Sequence, residues 1–246
     1  MLKPFLVEID TTYKDKSLVI YITVNTMHMK NYMSQKTTNY TLRFESRTYK
    51  NLYTVLHKMY GYNQLKFIIP TTRSYKQNDI ITFTLMDHLH NRIYRDIKSC
   101  VSIPPPTKLP LITCSYISDY NSIAELRAFI AFHRVQNVSM IVFYQSTPIE
   151  GFKEAFGRLM ESGYLTVVDF TWPRPNTQKL LQFTNQQAQI NACFNRFRFE
   201  ADAILFCDVD EYIYSRKFPF NLPRASQYLV DTYTGYDAFT VKRNSN

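Results

Sequence analysis

Residues 203–214 read Ala-Ile-Leu-Phe-Cys-Asp-Val-Asp-Glu-Tyr-Ile-Tyr, an apolar run that ends in two carboxylates, Asp208 and Asp210, separated by one residue. A strand too apolar to face water on either side belongs in the middle of an α/β sheet, and ligands of such sheets collect at the carboxyl ends of the strands. Two hard oxygen donors there suit Mg²⁺ or Mn²⁺ holding a phosphate. A bare Asp-x-Asp is more often a solvated turn. The buried strand leading into it is what makes the pair a metal-site expectation.

The residues upstream of this stretch alternate between strand and helix. Leu111 to Ile117 reads as a strand, and Ser122-Ile123-Ala124-Glu125 is a capping box opening a helix with Leu126, Phe129 and Ile130 on its apolar face. Met140 to Tyr144 is a second strand. Pro148 sits at a predicted helix start, with Phe152, Ala155, Phe156 and Leu159 on one face and Gly163 as the stop. Leu165 to Phe170 is a third strand. A loop from Trp172 to Thr177 then leads to a long helix whose predicted buried stripe is Ile190, Cys193, Phe194 and Phe197. Four strands with three helical crossovers specify a parallel, Rossmann-like half-sheet.

Pro104-Pro105-Pro106, followed by Pro110, continues neither sheet nor helix and marks the boundary of this pattern. Before it, period-2 alternation recurs at Leu6–Ile9, Leu18–Val24, Tyr40–Phe44, Leu65–Ile69, Ile80–Leu85 and Ile93–Ile97, which predicts a small antiparallel β-sandwich. Leu52, Val55, Leu56 and Met59 have helical spacing instead, with Gly61 as a possible end. The predicted organisation is a β-rich accessory domain over 1–103, a Pro-rich linker over 104–110 and an α/β domain over 111–246.

At 246 residues, 45% of them hydrophobic and 20% charged, the composition is that of a globular protein. No run approaches the roughly 18 apolar residues of a membrane span, and the first ten residues carry acid where a signal peptide has its apolar stretch. Of the net charge of +9, residues 1–105 hold 15 Lys/Arg against 7 Asp/Glu, and the remainder 14 against 13. Such an excess steers toward nucleic acid, acidic glycans or anionic lipid, or simply keeps a chain soluble. Cys100, Cys114, Cys193 and Cys207 share no metal-type spacing and indicate neither zinc nor a disulfide framework. Two sequons begin at Asn39 and Asn137 and matter only in a secretory compartment.

Several chemistries are disfavoured. No Gly-x-Gly-x-x-Gly follows the strand at 111–117, no Gly-Lys-Ser/Thr is present, and the chain has only five glycines. What remains is diphosphate binding through a metal. The blocks Leu111-Ile-Thr-Cys-Ser-Tyr-Ile, Ala128-Phe-Ile-Ala-Phe-His-Arg, Met140-Ile-Val-Phe-Tyr, Gln189-Ile-Asn-Ala-Cys-Phe-Asn-Arg and Ile204-Leu-Phe-Cys-Asp-Val-Asp-Glu-Tyr-Ile resemble glycosyltransferase family 92 over about residues 111–243. The Asn-x-Cys-x-x-Arg helix preceding the Asp-x-Asp-Glu strand is the specific part. More loosely, the order is similar to other GT-A transferases.

The resemblance implies a GT-A fold and a metal-dependent, inverting transfer of sugar, typically galactose from UDP-galactose, to a glycan acceptor. It points to the Golgi lumen. On that reading Asp210 binds Mn²⁺ or Mg²⁺ directly, and Asp208 reaches the ribose or, through water, the metal. Ser115, Tyr116 and Asp119 meet the base and ribose, and Asn191 is a nucleotide contact. Arg198 is either another such contact or a solvated helix end. Glu211 is a structural hydrogen bond or a catalytic group, and His133 completes packing. Trp172 stacks on a sugar or anchors its loop. No general base is named, because in GT-A enzymes it follows Asp-x-Asp and the chain here runs only to Asn246; the acceptor half is expected to be missing, the chain being either a fragment of a longer protein or a truncated, catalytically weak remnant. Two other readings stay open. One is a degenerate module that binds glycan or a protein partner without catalysis. The other is a basic nucleic-acid binder, disfavoured because no helix-turn-helix, zinc or RNP-type motif accompanies the charge.

Overall fold

The alternating segments before the prolines fold as an eight-stranded sheet; in Tyr40–Phe44 and Ile80–Asp87 buried residues take turns with exposed or half-buried ones. In the computed structural model, which describes residues 6–25, 40–50, 53–57, 62–88, 91–118, 120–170, 178–235 and 238–240, the strands are β1 (Leu6–Lys14), β2 (Ser17–Asn25), β3 (Tyr40–Phe44), β4 (Arg47–Lys50), β5 (Tyr53–His57), β6 (Tyr62–Pro70), β7 (Ile80–Asp87) and β8 (Arg92–Ser102). Their order is β4-β3-β7-β8-β1-β2-β6-β5. Neighbours pair antiparallel except β1 and β8, which run parallel through Thr11↔Val101 and Thr12↔Ser102. One core cluster takes Leu42 and Phe44 from one end of this order and Leu65, Phe67 and Ile69 from the other, so the sheet wraps a single interior.

Within the segment 52–59 expected to be helical, the described residues 53–57 are instead strand β5, paired antiparallel with β6 from Tyr53↔Lys66 to His57↔Tyr62, while Leu52, Met59 and Gly61 lie outside the described residues. The segment Tyr53-Thr54-Val55 is aromatic and β-branched, and the edge of β6 offers it a ladder; pairing overrides the helical spacing.

After the prolines come β9 (Ile112–Ile117), α1 (Ile123–Val135), β10 (Met140–Gln145), α2 (Phe152–Glu161), β11 (Leu165–Asp169), α3 (Gln178–Phe197), β12 (Ile204–Phe206) and α4 (Leu222–Thr232). The four strands form a parallel sheet in the order β11-β10-β9-β12. The chain steps from β9 to β10 to β11, then returns past β9 to β12. The switch point of a doubly wound sheet therefore lies between β9 and β12. Strand β12 stands at one end of this order and its residues are half-buried, so the expectation of a central strand is corrected: β9 and β10 hold the middle. They are also the strands with four consecutive buried residues.

The capping box is present in full: Ser122 Oγ accepts from Glu125 N at 3.2 Å and Glu125 Oε2 accepts from Ser122 N at 2.8 Å. These bonds hold the Glu125 carboxyl below the ordinary carboxylate range. Helix α2 begins after Gly151, whose φ of 72° is open to glycine, so Pro148 lies in the preceding loop rather than at the helix start. Gly163, at φ 75°, follows the helix end as expected. On α3 the stripe differs from expectation, since Phe194 is 48% exposed while Ala188, Gln189, Ala192, Cys193 and Phe197 are buried. Cys100 and Cys207 are free thiols. The sequon at Asn137 is already engaged, its Nδ2 donating to the Phe220 carbonyl at 2.9 Å, and Asn39 and Trp172 lie outside the described residues.

By contacts the chain divides into two compact units, Met1–Pro106 with Trp172–Phe199, and Thr107–Thr171 with Glu200–Asn246. Helix α3 thus groups with the first unit, against β1 and β2, although it lies beyond the prolines in sequence. Among the described residues no helix is long and apolar enough to cross a membrane.

Candidate metal and nucleotide site

Strand β12 stops at Phe206, and the chain turns at once. The amide of Asp208 donates to Glu211 Oε2 at 3.0 Å, and the amide of Glu211 donates to the Asp208 carbonyl at 3.0 Å. This reciprocal pair closes a four-residue turn in the same way that a capping box closes the start of a helix. Val209, 7% exposed, pins the turn to the core, so Asp210 projects into solvent while Asp208 is half-buried. The chain therefore does not run on as a strand from Asp208 to Glu211. Of the two roles left open for Glu211, its carboxylate takes the structural hydrogen bond.

The residue before the turn is Cys207, buried at 7%. Burial pushes its thiol up to about 12, with the neighbouring Glu211 carboxylate adding to the rise. A thiol held protonated is neither a nucleophile nor a metal ligand at neutral pH. Its neighbours are Ser115 of β9 and His133 of α1. His133 is fully buried and stacks on Phe129 at 4.1 Å, in keeping with the packing role expected of it, and burial lowers its pKa.

The other expected residues divide between the units. Ser115 is 1% exposed and its hydroxyl is spent inside the core, on the carbonyl of Cys207 at 2.6 Å. Tyr116, on the opposite face of β9, is half-buried at the strand end. Asp119 lies outside the described residues. Asn191 and Arg198 belong to the first unit with α3. Arg198 is not a solvated helix end: its guanidinium bonds the Tyr21 hydroxyl of β2 and lies 4.3 Å from the Tyr21 ring and 4.5 Å from that of Phe199. The second unit thus brings together Ser115, Tyr116, Asp208 and Asp210 around the carboxyl ends of β9 and β12.

Sequence reasoning missed Cys207 as the hinge of this arrangement. The parity of β9 puts Thr113, Ser115 and Ile117 on one face, but both faces of the strand are buried, so parity alone does not say which face meets β12's exit.

Among the described residues no group of three or more His, Cys, Asp or Glu converges on one point. Two carboxylates on one turn, Asp210 open to solvent and Asp208 half-buried, still fit Mg²⁺ or Mn²⁺, because these ions keep several waters and are typically held by one or two carboxylates plus substrate phosphates. An all-protein cage is not required.

Similarity to solved structures is remote. The crystal structure of a Parabacteroides merdae β-glucuronidase matches at 10% identity over 83% of this chain and 29% of that one, with a TM-score of 0.30. Two ferredoxin-NADP⁺ reductase structures from Plasmodium falciparum match at 9% and 10% identity, covering 81% of this chain and 82% and 85% of theirs, at TM-scores of 0.26 and 0.21. None of these likenesses bears on fold or function, and the chain spans under a third of the glucuronidase's length. No curated protein matches. A family model does match, over residues 110–245, more than half of the chain and the whole of the parallel sheet with its closing turn. The chain belongs to glycosyltransferase family 92.

Proposed function

We propose that residues 111–246 form a GT-A-type domain that transfers a sugar from a UDP-sugar, galactose in the first instance, to a glycan acceptor with inversion and with the help of Mn²⁺ or Mg²⁺. On this reading residues 1–103 are an accessory domain. The observation that carries the proposal is the Asp208–Glu211 turn at the switch point of the parallel sheet, where Glu211 is consumed by the backbone and Asp210 is left open to solvent. Asp210 is the direct ligand, and Asp208 serves the ribose or a metal-bound water. Bound metal supplies Lewis-acid neutralisation of the charge that builds on the departing diphosphate. Tyr116 offers an aromatic surface beside the site.

Titration calorimetry of UDP into the protein tests this with Mn²⁺, with chelator and with Asp210→Asn. Binding should need both the metal and Asp210, with a loss exceeding the roughly 10–100-fold that removal of an outer-shell partner costs. If UDP does not bind under any condition, the domain is a degenerate module that takes glycan or a protein partner without catalysis.

A further inference from the structure

The contacts of Ser115 point to a role other than nucleotide binding. Its Oγ–H donates to the Cys207 carbonyl at 2.6 Å across a sequence separation of 92 residues. From the other side comes His133. Its Nδ1 lies 2.9 Å from the Phe129 carbonyl, which only accepts, so Nδ1 carries the proton of the neutral ring and Nε2 is left as an acceptor. That Nε2 faces Cys207 Sγ at 3.9 Å, close enough for the thiol to donate. Cys207 is therefore gripped twice, at its carbonyl by β9 and at its side chain by α1. Its carbonyl shares a peptide plane with the Asp208 amide, which is the atom that Glu211 holds. Fixing that plane fixes where the turn begins.

We propose that Ser115 and His133 are positioning residues that hold the Asp208 and Asp210 carboxylates in place for metal and donor diphosphate, acting through Cys207. The inference rests on the metal-dependent reading above. Groups that orient a ligand from behind commonly matter nearly as much as the ligand itself.

The test is Mn²⁺-dependent UDP affinity by calorimetry, set beside the thermal midpoint measured in chelator. Ser115→Ala should weaken binding by roughly 10–100-fold. Thr113→Val is the control: Thr113 lies two residues earlier on the same face of β9, and its buried hydroxyl has no partner. It should leave affinity within about twofold, because no made bond is lost. If Ser115→Ala does not fold, Cys207→Ala is read in its place; it keeps the carbonyl bond, cuts the imidazole link and should weaken binding by about tenfold. Equal affinity in wild type and Ser115→Ala, or in wild type and Cys207→Ala, overturns the positioning role, as does an equal loss in Thr113→Val. Absence of Mn²⁺-dependent UDP binding in the wild type instead overturns the reading of the site, and this inference falls with it.

Discussion

Strand β7 of the first unit and strand β10 of the second bury their residues by different rules. In β7 the odd-numbered residues Ile81, Phe83, Leu85 and Asp87 are buried while Ile80, Thr82, Thr84 and Met86 are exposed or intermediate. In β10 Ile141, Val142, Phe143 and Tyr144 are buried in succession. An antiparallel sheet with one wet face can carry polar side chains anywhere along that face. A parallel sheet covered on both faces has open positions only at its strand ends, so its chemistry gathers at the carboxyl edge. That is why the basic residues crowd the first unit's sequence and the Asp208–Asp210 pair closes the second's last strand.

The sharpest way to break this comparison is to introduce a charge at consecutive positions. Ile141→Asp and Val142→Asp should both unfold the second unit, each costing about 3–5 kcal/mol or more for an unpaired buried carboxylate. In β7, Phe83→Asp should do the same, while Thr82→Asp should cost less than about 1 kcal/mol, because its side chain stays in water. Chemical denaturation of the four variants measures it. If Val142→Asp is tolerated, one face of β10 is not covered and the two-face account is wrong.

A smaller effect separates the two units' expected site residues. Arg198→Ala removes a hydrogen bond to Tyr21 and two ring contacts, and should destabilise the first unit by about 1–2 kcal/mol. UDP affinity should not change. Asp210→Asn should do the reverse, abolishing metal-dependent binding without lowering the unfolding midpoint in chelator. A fall in UDP affinity with Arg198→Ala would return that side chain to the nucleotide.

The parallel sheet was legible because its signals are local. Ser122 and Glu125 announce a helix by themselves, and the apolar runs of β9 and β10 announce strands in the same local way. Strand β5 was misread for the opposite reason: its pairing with β6 is a tertiary bond, and the spacing of Leu52, Val55 and Leu56 suits either period. Likewise Phe194 fits a helical stripe in sequence but is exposed, since what decides its burial is which face of α3 meets β1 and β2. At the site, two carboxylates separated by one residue were readable. That Glu211 folds back on Asp208, and that Ser115 reaches Cys207, depends on contacts made after the strand ends.

Helix α1 offers a smaller, local test. Ser122→Ala removes a complete capping box and should cost about 1 kcal/mol in the second unit's stability. Helix α2 has no side-chain cap at Gly151, so its own start offers no such bond to lose. Urea denaturation resolves a change of that size.

The gentlest distinction between the units is one of pH. Among the described residues the first unit's His88 is exposed, whereas His133 of the second is fully buried. Burial lowers the His133 pKa below its ordinary 6.5, outweighing the opposing pull of the Phe129 carbonyl. As pH falls through about 6.5, the unfolded chain takes up a proton that the folded chain refuses, so stability drops with falling pH until the folded value is reached. Above about pH 6.5 both states are neutral and the group contributes no slope. Denaturation between about pH 7.5 and 5.5 should therefore show a loss in wild type that is shallower in His133→Leu, because leucine has no proton to refuse. Equal slopes in the two proteins would mean that the folded state admits the imidazolium, and that the imidazole facing Cys207 Sγ is not held neutral behind the Asp208 turn.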